Sequence, residues 1–220
     1  MAEHPLLSSS RRYGLLLLAT LASLGVQGIA QPSGVQQVIV TALAGASLLL
    51  ALHAAGLDRR YLLPAAILTT AGIAITIVQA ATSDLSEGIA RTANAALLAL
   101  GPPAVAIGVI RSLRTGTVKV EAVMGVLSLF MLLGMMFGFI FGAIDHYGDQ
   151  AFFAGGREAT VSNCLYFSFT TLTTTGYGDF VADTDLGHTL SVFEALIGQI
   201  YLVTIVSLIV SNLGRSRRTS

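Results

Sequence analysis

The chain has 220 residues, of which 54% are hydrophobic and 11% are charged, and its mean hydropathy is +0.76. A soluble domain carries about 25% charged residues, so this composition excludes an ordinary soluble domain. Twelve basic and twelve acidic residues balance, so the net charge says nothing about nucleic acid, and no nucleic-acid partner is predicted. The single cysteine, Cys164, excludes a disulfide within the chain and a cysteine-based metal site. The composition predicts a membrane protein.

Four long stretches of the sequence contain no Asp, Glu, Lys or Arg, at 13–57, 61–83, 92–110 and 122–144. A helical crossing of a bilayer needs about 20 apolar residues, so each stretch can hold at least one crossing. A turn signal at 31–34 divides the first stretch into two. We therefore predict an all-α membrane protein with six transmembrane helices, at about 14–30, 35–56, 62–82, 90–110, 121–144 and 187–213.

The region between the fifth and sixth predicted spans is too polar to cross a bilayer, but it contains the short apolar stretch 161–173. This stretch is too short to span the membrane. Thr160 and Ser162 are candidates for capping its N-terminus. The sequence therefore predicts a re-entrant or interfacial helix here.

The positions of Lys and Arg predict the orientation, because these residues are enriched in cytoplasmic loops. If the N-terminus is cytoplasmic, ten of the twelve fall on the inner side and only Arg91 and Arg157 fall outside. We predict a multi-pass protein of the cell membrane with both termini in the cytoplasm. The first span also resembles a signal peptide ending at Gly28-Ile29-Ala30, and we expect it to be retained.

The loop after the predicted re-entrant helix reads T-T-G-Y-G at 174–178, followed by Asp179. Irregular backbone at membrane depth is tolerated only where it lines a cavity or is buried in protein. Consecutive carbonyl groups can point at one axis if the backbone alternates in hand, which Gly176 and Gly178 permit because they lack Cβ. Such a row of oxygens can replace the water that a dehydrated ion loses.

This loop resembles the filter signature T-x-G-Y-G-D of the potassium channel family, and the resemblance covers about 121–214. It implies a homotetramer in which four filters, each with its re-entrant pore helix, surround one axis. The filter residues would be Thr174, Thr175, Gly176, Tyr177 and Gly178. The first four would bind K+ through backbone carbonyls, the Thr174 hydroxyl would form the innermost ring, and Tyr177 would face away from the pore.

One residue departs from the family pattern, because Thr175 stands where the family usually has Val. We expect its added hydroxyl to lie behind the filter and to be bound by Thr170, Thr171 or Glu194. Glu194 is the only formally charged residue within the last span, where charge is costly and functional by default. We expect Glu194 to support the filter by tethering Thr170 or Thr171; a protonated structural carboxyl and a gating sensor are the alternatives.

The resemblance also implies roles for residues around the filter. In the family the aspartate after the filter bonds an aromatic side chain of the pore helix, and here Asp179 and Tyr166 stand at those positions. Gly198 lies where pore-lining helices of the family often have a hinge glycine, although close helix packing explains a glycine equally well. The side chains predicted to line the inner pore recur at helical spacing and are Leu202, Val206 and Val210.

The first four spans resemble the voltage-sensing half of the voltage-gated branch of the family. In that branch the fourth span carries Arg at every third position, whereas here Arg91 is at its outer end and Arg111 and Arg114 are at its inner end. Gly101-Pro102-Pro103 interrupts the span between them. The predicted domains are an N-terminal tail (1–12), a sensor-like domain without gating charges (13–112), a linker (113–120), a pore domain (121–214) and a C-terminal tail (215–220).

The sequence predicts a potassium-selective, largely voltage-insensitive channel subunit that conducts K+ passively, without catalysis and without an organic cofactor. Its predicted partners are three further copies of the chain, the lipid bilayer and K+. A poorly selective channel for monovalent cations is the alternative. A potassium transporter would carry four filter-like loops in one chain, and a membrane enzyme would need clustered His, Asp or Glu within its spans.

Overall fold

The computed structural model describes residues 9–29, 34–54, 59–82, 87–114 and 120–216. These residues form eight α-helices, a short 3₁₀ turn at Ala154–Gly156 and one isolated antiparallel bridge between Phe153 and Ala182. The helices are α1 (Ser9–Ile29), α2 (Gly34–Ala54), α3 (Arg59–Thr82), α4 (Glu87–Ala99), α5 (Gly101–Arg114), α6 (Val120–Tyr147), α7 (Val161–Leu172) and α8 (Asp185–Ser216). The predicted all-α fold is confirmed for this part of the chain.

The predicted fourth span is divided into two helices. Helix α4 ends at Ala99 and α5 begins at Gly101, so the chain breaks at Leu100. The break precedes Pro102 and Pro103, which have no backbone N–H to donate to the preceding turn. Most of the predicted tails at 1–12 and 215–220 and of the predicted linker at 113–120 lies outside the described residues.

Two helical stretches among the described residues are long and apolar enough to cross a membrane, Val123–Tyr147 in α6 and Asp185–Thr204 in α8. Four further apolar stretches are shorter, and they are Tyr13–Gly28, Gln37–His53, Leu62–Val78 and Thr92–Ile107. Each shorter stretch lies within one of the other predicted spans, at helix α1, α2, α3 or across the break between α4 and α5.

Helices α1 to α5 form a bundle with α2 at its centre, and this bundle packs against α6. Helix α2 contacts α1, α3, α4 and α5, while α1, α4 and α5 each contact α6. The apolar side chains buried between them include Leu16, Leu48, Leu98, Val105 and Leu132. The buried polar side chains of α1 to α4, among the described residues, are all uncharged, and they are Thr20, Ser23, Gln27, Thr41, Ser47, Thr69, Thr76 and Asn94. Among the described residues of α1 to α4, no charged side chain is therefore buried in this helical bundle.

A second buried cluster lies where α6 ends and joins the loop that leads to α7. It contains Phe137 and Phe141 of α6, Phe152 and Phe153 of the loop, and Phe167 of α7. Phe141 stacks on Phe152 with their ring centroids 5.1 Å apart, and Phe153 meets Phe167 edge-on at 5.3 Å. This aromatic cluster ties the loop before α7 to both helices.

The same loop is also bonded to the segment that precedes α8. The Ala154 N–H donates to the Val181 carbonyl at 2.9 Å, and the Asp183 N–H donates to the Phe152 carbonyl at 2.8 Å. The Asp145 carboxylate accepts from the Phe152 N–H at 2.9 Å, which fixes the loop against the end of α6. Both ends of the 174–178 loop are therefore connected to the same framework.

The contact between α2 and α3 can be tested at Gly45. A Cβ at Gly45 would lie 2.0 Å from the Thr69 Cγ2, so alanine forces these helices apart. We expect Gly45→Ala to lower the free energy of unfolding by about 1–3 kcal/mol, as overpacking does. The measurement is thermal denaturation of the purified protein in detergent.

Gly25→Ala is the matched control, because Gly25 is also helical and a Cβ there meets no atom within 4 Å. Alanine favours the helix over glycine by about 1 kcal/mol, so this variant should be as stable as the unmutated protein or more stable. Equal melting temperatures for the two variants would contradict the described α2–α3 contact.

Candidate functional site

Helix α7 is a short helix with defined ends that leads directly into the T-T-G-Y-G loop. At its N-terminus the Thr160 side chain accepts a hydrogen bond from the Asn163 N–H at 3.2 Å, which is the predicted cap. At its C-terminus the Thr173 N–H donates to the Phe169 carbonyl at 3.0 Å. The loop therefore starts immediately after a completed helical turn.

The backbone of the loop alternates in hand. Thr174, Gly176 and Gly178 have positive φ values of 55°, 51° and 80°. Among the described residues Thr174 is the only non-glycine with a positive φ, a conformation that is uncommon for a residue with a Cβ. The alternation predicted from Gly176 and Gly178 is present, and it begins one step earlier, at Thr174.

The first three N–H groups of the loop donate hydrogen bonds to α7. The Thr174 N–H donates to the Thr171 carbonyl at 2.9 Å, and the N–H groups of Thr175 and Gly176 both donate to the Thr170 carbonyl, at 2.8 and 3.1 Å. No described backbone N–H outside the regular helices donates to the carbonyls of 174–177. The loop thus directs its donors to its own helix and leaves a row of carbonyl oxygens free to accept.

The Thr175 hydroxyl has a different partner from the expected ones. It lies 2.9 Å from the Thr173 hydroxyl, which donates to the Phe169 carbonyl at 2.6 Å. The Thr170 hydroxyl instead donates to the Phe167 carbonyl at 2.9 Å. The expectation that Thr170, Thr171 or Glu194 binds the Thr175 hydroxyl is therefore corrected, because Thr173, two residues earlier in the chain, does so.

Asp179 and Tyr166, which were predicted to form a brace beyond the loop, are neighbours, and Tyr177 also packs against Tyr166. The Tyr177 ring stacks on the Tyr166 ring, with centroids 6.2 Å apart and planes 10° from parallel. Desolvation raises the pKa of the Tyr166 hydroxyl, and the nearby Asp179 carboxylate raises it further. Tyr177 itself is 72% exposed in the single chain, so Tyr166 covers one face of its ring only.

Glu194 is fully buried between α8 and α7, and it does not tether Thr170 or Thr171 as expected. Its Oε1 is hydrogen-bonded to the Ser168 hydroxyl, which also lies 2.7 Å from the Gly134 carbonyl of α6. The second carboxylate oxygen, Oε2, has no hydrogen-bond partner among the described residues. The structure therefore assigns Glu194 a contact with the middle of α7, about two turns before the loop.

Gly198 lies in an uninterrupted part of α8 and faces α7. A Cβ on Gly198 would lie 2.0 Å from the carbonyl oxygen of Leu172. Of the two interpretations of this glycine, the structure supports close packing rather than a hinge. Leu202, the first predicted pore-lining residue, is 38% exposed in the single chain. The side chains of Val206 and Val210 lie outside the described residues.

Three contributing residues were not identified from the sequence, namely Ser168, Thr173 and Gly134. The spacing of Cys164, Ser168 and Leu172 on α7 contains a signal, because residues four apart share one helical face and all three are buried. A polar residue on that face was a candidate partner for the buried Glu194. Thr173 and Gly134 contribute through their local geometry, which no motif encodes.

The region that contains this loop is similar in sequence to known proteins. Residues 125–215 match a protein-family model described as an ion channel. Over 71 residues the chain is 32% identical to the calcium-activated potassium channel slowpoke of Drosophila melanogaster. Through this region the chain is similar to ion channels and, more specifically, to this potassium channel. The match to this potassium channel covers 32% of the chain and 6% of the relative, and no solved structure matches.

The close approach of α8 to α7 at Gly198 gives a testable prediction. Gly198→Ala places a methyl group against the backbone of Leu172, which cannot rotate away as a side chain can. We expect the variant to lose about 1–3 kcal/mol or more of its free energy of unfolding, measured by thermal denaturation in detergent. Gly28→Ala, in a helix where a Cβ meets nothing within 4 Å, is the control and should be stable. A Gly198→Ala variant as stable as this control would favour the hinge.

Proposed function

We propose that the chain is a subunit of a homotetrameric, potassium-selective channel that conducts K+ passively through the loop at 174–178. The observation that carries the proposal is the alternating backbone of this loop, with positive φ at Thr174, Gly176 and Gly178 and with its first three N–H groups bonded to α7. An ion channel is not an enzyme, so the proposed mechanism contains no chemical step.

In the proposed mechanism the carbonyl oxygens of consecutive residues replace the hydration shell of the ion. The ligands are the backbone carbonyls of Thr174, Thr175, Gly176 and Tyr177 from each of four chains, with the Thr174 hydroxyl forming the innermost ring. Because α7 ends at the loop, the negative end of its dipole also favours a cation in the cavity below. The contact between Tyr166 and Asp179 and the Tyr177–Tyr166 stack would hold the outer end of the filter.

The surface of α8 supports assembly into an oligomer. In the single chain α8 exposes a large set of apolar side chains, which includes Val192, Phe193, Leu196, Ile200 and Val203. Exposed apolar patches of this extent mark surfaces that contact other proteins or lipid. We propose that three further copies of the chain cover the part of this surface nearest the filter and that lipid covers the remainder.

We propose six membrane spans, with α4 and α5 together forming the fourth and with both termini in the cytoplasm. This orientation places ten of the twelve Lys and Arg residues on the inner side.

The rival function is a poorly selective cation channel. Non-selective relatives are expected to lose the tyrosine or the second glycine of the filter, whereas Gly176, Tyr177 and Gly178 are all present here.

Selectivity is predicted to depend on the backbone of Gly176. Its φ of 51° is strained for any residue with a Cβ, although no neighbouring atom would obstruct the methyl group itself. Gly176→Ala should therefore abolish or reduce the preference for K+ over Na+ while the oligomer still forms. The measurement is cation flux from liposomes containing the purified protein, together with its size by gel filtration. Unchanged K+ preference in Gly176→Ala would contradict the assignment of the filter.

The proposed channel lacks the charges that steep voltage gating requires. Moving one elementary charge across the membrane yields about 2.3 kcal/mol per 100 mV, and steep gating uses roughly three to four charges in each subunit. Residues 92–110 contain no Lys or Arg, and the buried polar side chains described in α1 to α4 are uncharged. The side chains of Arg91, Arg111 and Arg114 lie outside the described residues.

We therefore expect the open probability to change little with voltage. The measurement is the conductance–voltage relation of the purified protein in planar bilayers with equal potassium on both sides. A shallow or flat relation is expected, because residues 92–110 of the fourth predicted span contain no Lys or Arg to move through the field. A steep sigmoid that corresponds to several charges per channel would overturn this prediction.

A further inference from the structure

Three helices meet at one hydroxyl group behind the proposed filter. The Ser168 Oγ of α7 is hydrogen-bonded to the Glu194 Oε1 of α8 and lies 2.7 Å from the Gly134 carbonyl of α6. Ser168 and Glu194 are both completely buried. A Cβ on Gly134 would lie 2.6 Å from the Phe169 ring, so a glycine here allows α7 to approach the α6 backbone closely.

The number of hydrogens in this contact limits the protonation of Glu194. A serine hydroxyl has one hydrogen to donate and can accept from other donors. An ionised Glu194 and the Gly134 carbonyl are both acceptors, so one hydrogen of Ser168 would have to serve two acceptors at once. If Glu194 carries a proton, it donates to Ser168, and Ser168 donates to Gly134, which satisfies both contacts.

The surroundings of Glu194 agree with a neutral group. No described cationic side chain acts on Glu194, and Ser168 is its only polar partner among the described residues. The Oε2 atom is buried without a hydrogen-bond donor. An ionised carboxylate placed in this way would be a buried charge without compensation, which proteins avoid, whereas a neutral carbonyl oxygen without a partner costs much less.

We propose that Glu194 is a protonated carboxylic acid at neutral pH and that it donates a hydrogen bond to Ser168, which donates to Gly134. This relay is a positioning device: it fixes the rotation of α7 between α6 and α8. The loop at 174–178 is bonded to the carbonyls of Thr170 and Thr171 at the end of the same helix, so the rotation of α7 sets the direction of the loop. Neither Glu194 nor Ser168 contacts the ion in this proposal.

The first test is infrared spectroscopy of the full chain in liposomes, because a protonated carboxyl group has a C=O stretching band that a carboxylate lacks. The spectrum of the unmutated protein minus that of Glu194→Gln should contain this band at neutral pH. Ser168→Ala should shift the band, because it changes the hydrogen bond of the carboxyl group. A difference spectrum with carboxylate bands alone would overturn the proposal.

The second test is rescue by a neutral donor. The Gln side chain retains a donor for Ser168 without a charge, so Glu194→Gln should keep potassium flux within about twofold of the unmutated protein. Glu194→Ala and Ser168→Ala should each lower the flux by about tenfold, and the double variant should lose little more because both remove the same relay. Thr189→Val is the control, because Thr189 lies exposed on α8 and its hydroxyl bonds only the Asp185 carbonyl, at 2.8 Å.

This inference rests on the proposed function only in the flux measurement. The infrared band reports the protonation of Glu194 whether or not the protein conducts K+. If Gln is as defective as Ala, the charge is required and the proposal is wrong. If the Ala variant does not fold, the infrared band and the flux of Glu194→Gln still decide. If the unmutated protein shows no potassium flux but the carboxylic acid band is present and responds to Ser168→Ala, the relay stands and the channel function fails.

Discussion

The structure of the loop at 174–178 depends on three hydrogen bonds that hold it to α7. They connect the N–H groups of Thr174, Thr175 and Gly176 to the carbonyls of Thr171 and Thr170, which are the unpaired acceptors at the end of a helix. A loop with positive φ at every second residue is costly by itself, and it persists only when its surroundings fix it. The end of α7 provides those surroundings.

Contacts further from the loop keep α7 in place. The aromatic cluster fixes its outer end through Phe152 and Phe153, Ser168 fixes its middle against α6 and α8, and Gly198 allows α8 to touch its last carbonyl group. Helices α1 to α5 pack against α6 and approach α7 only slightly, through α1. The proposed filter is therefore held mainly by α6, α7 and α8, and the described residues of α1 to α4 bury no charged side chain beside it.

The sequence predicted the helices from charge-free stretches and the break in the fourth span from Gly101-Pro102-Pro103, because both features are local. It also predicted the alternating backbone, since glycine marks a positive φ at Gly176 and Gly178. It did not predict the positive φ of Thr174, because a positive φ is uncommon for threonine and the residue type therefore does not indicate one. The partner of Glu194 was wrong, because the choice among the hydroxyls of α7 depends on how closely α6 approaches, and that is a tertiary property.

The central claim is that the row of carbonyl oxygens selects potassium. The most direct measurement is the reversal potential of the unmutated protein in a planar bilayer, with potassium chloride on one side and sodium chloride on the other. A reversal potential strongly displaced in the direction that potassium permeation requires is the predicted result. A reversal potential near zero, which means equal permeability to the two ions, would contradict the account even though the filter sequence is intact.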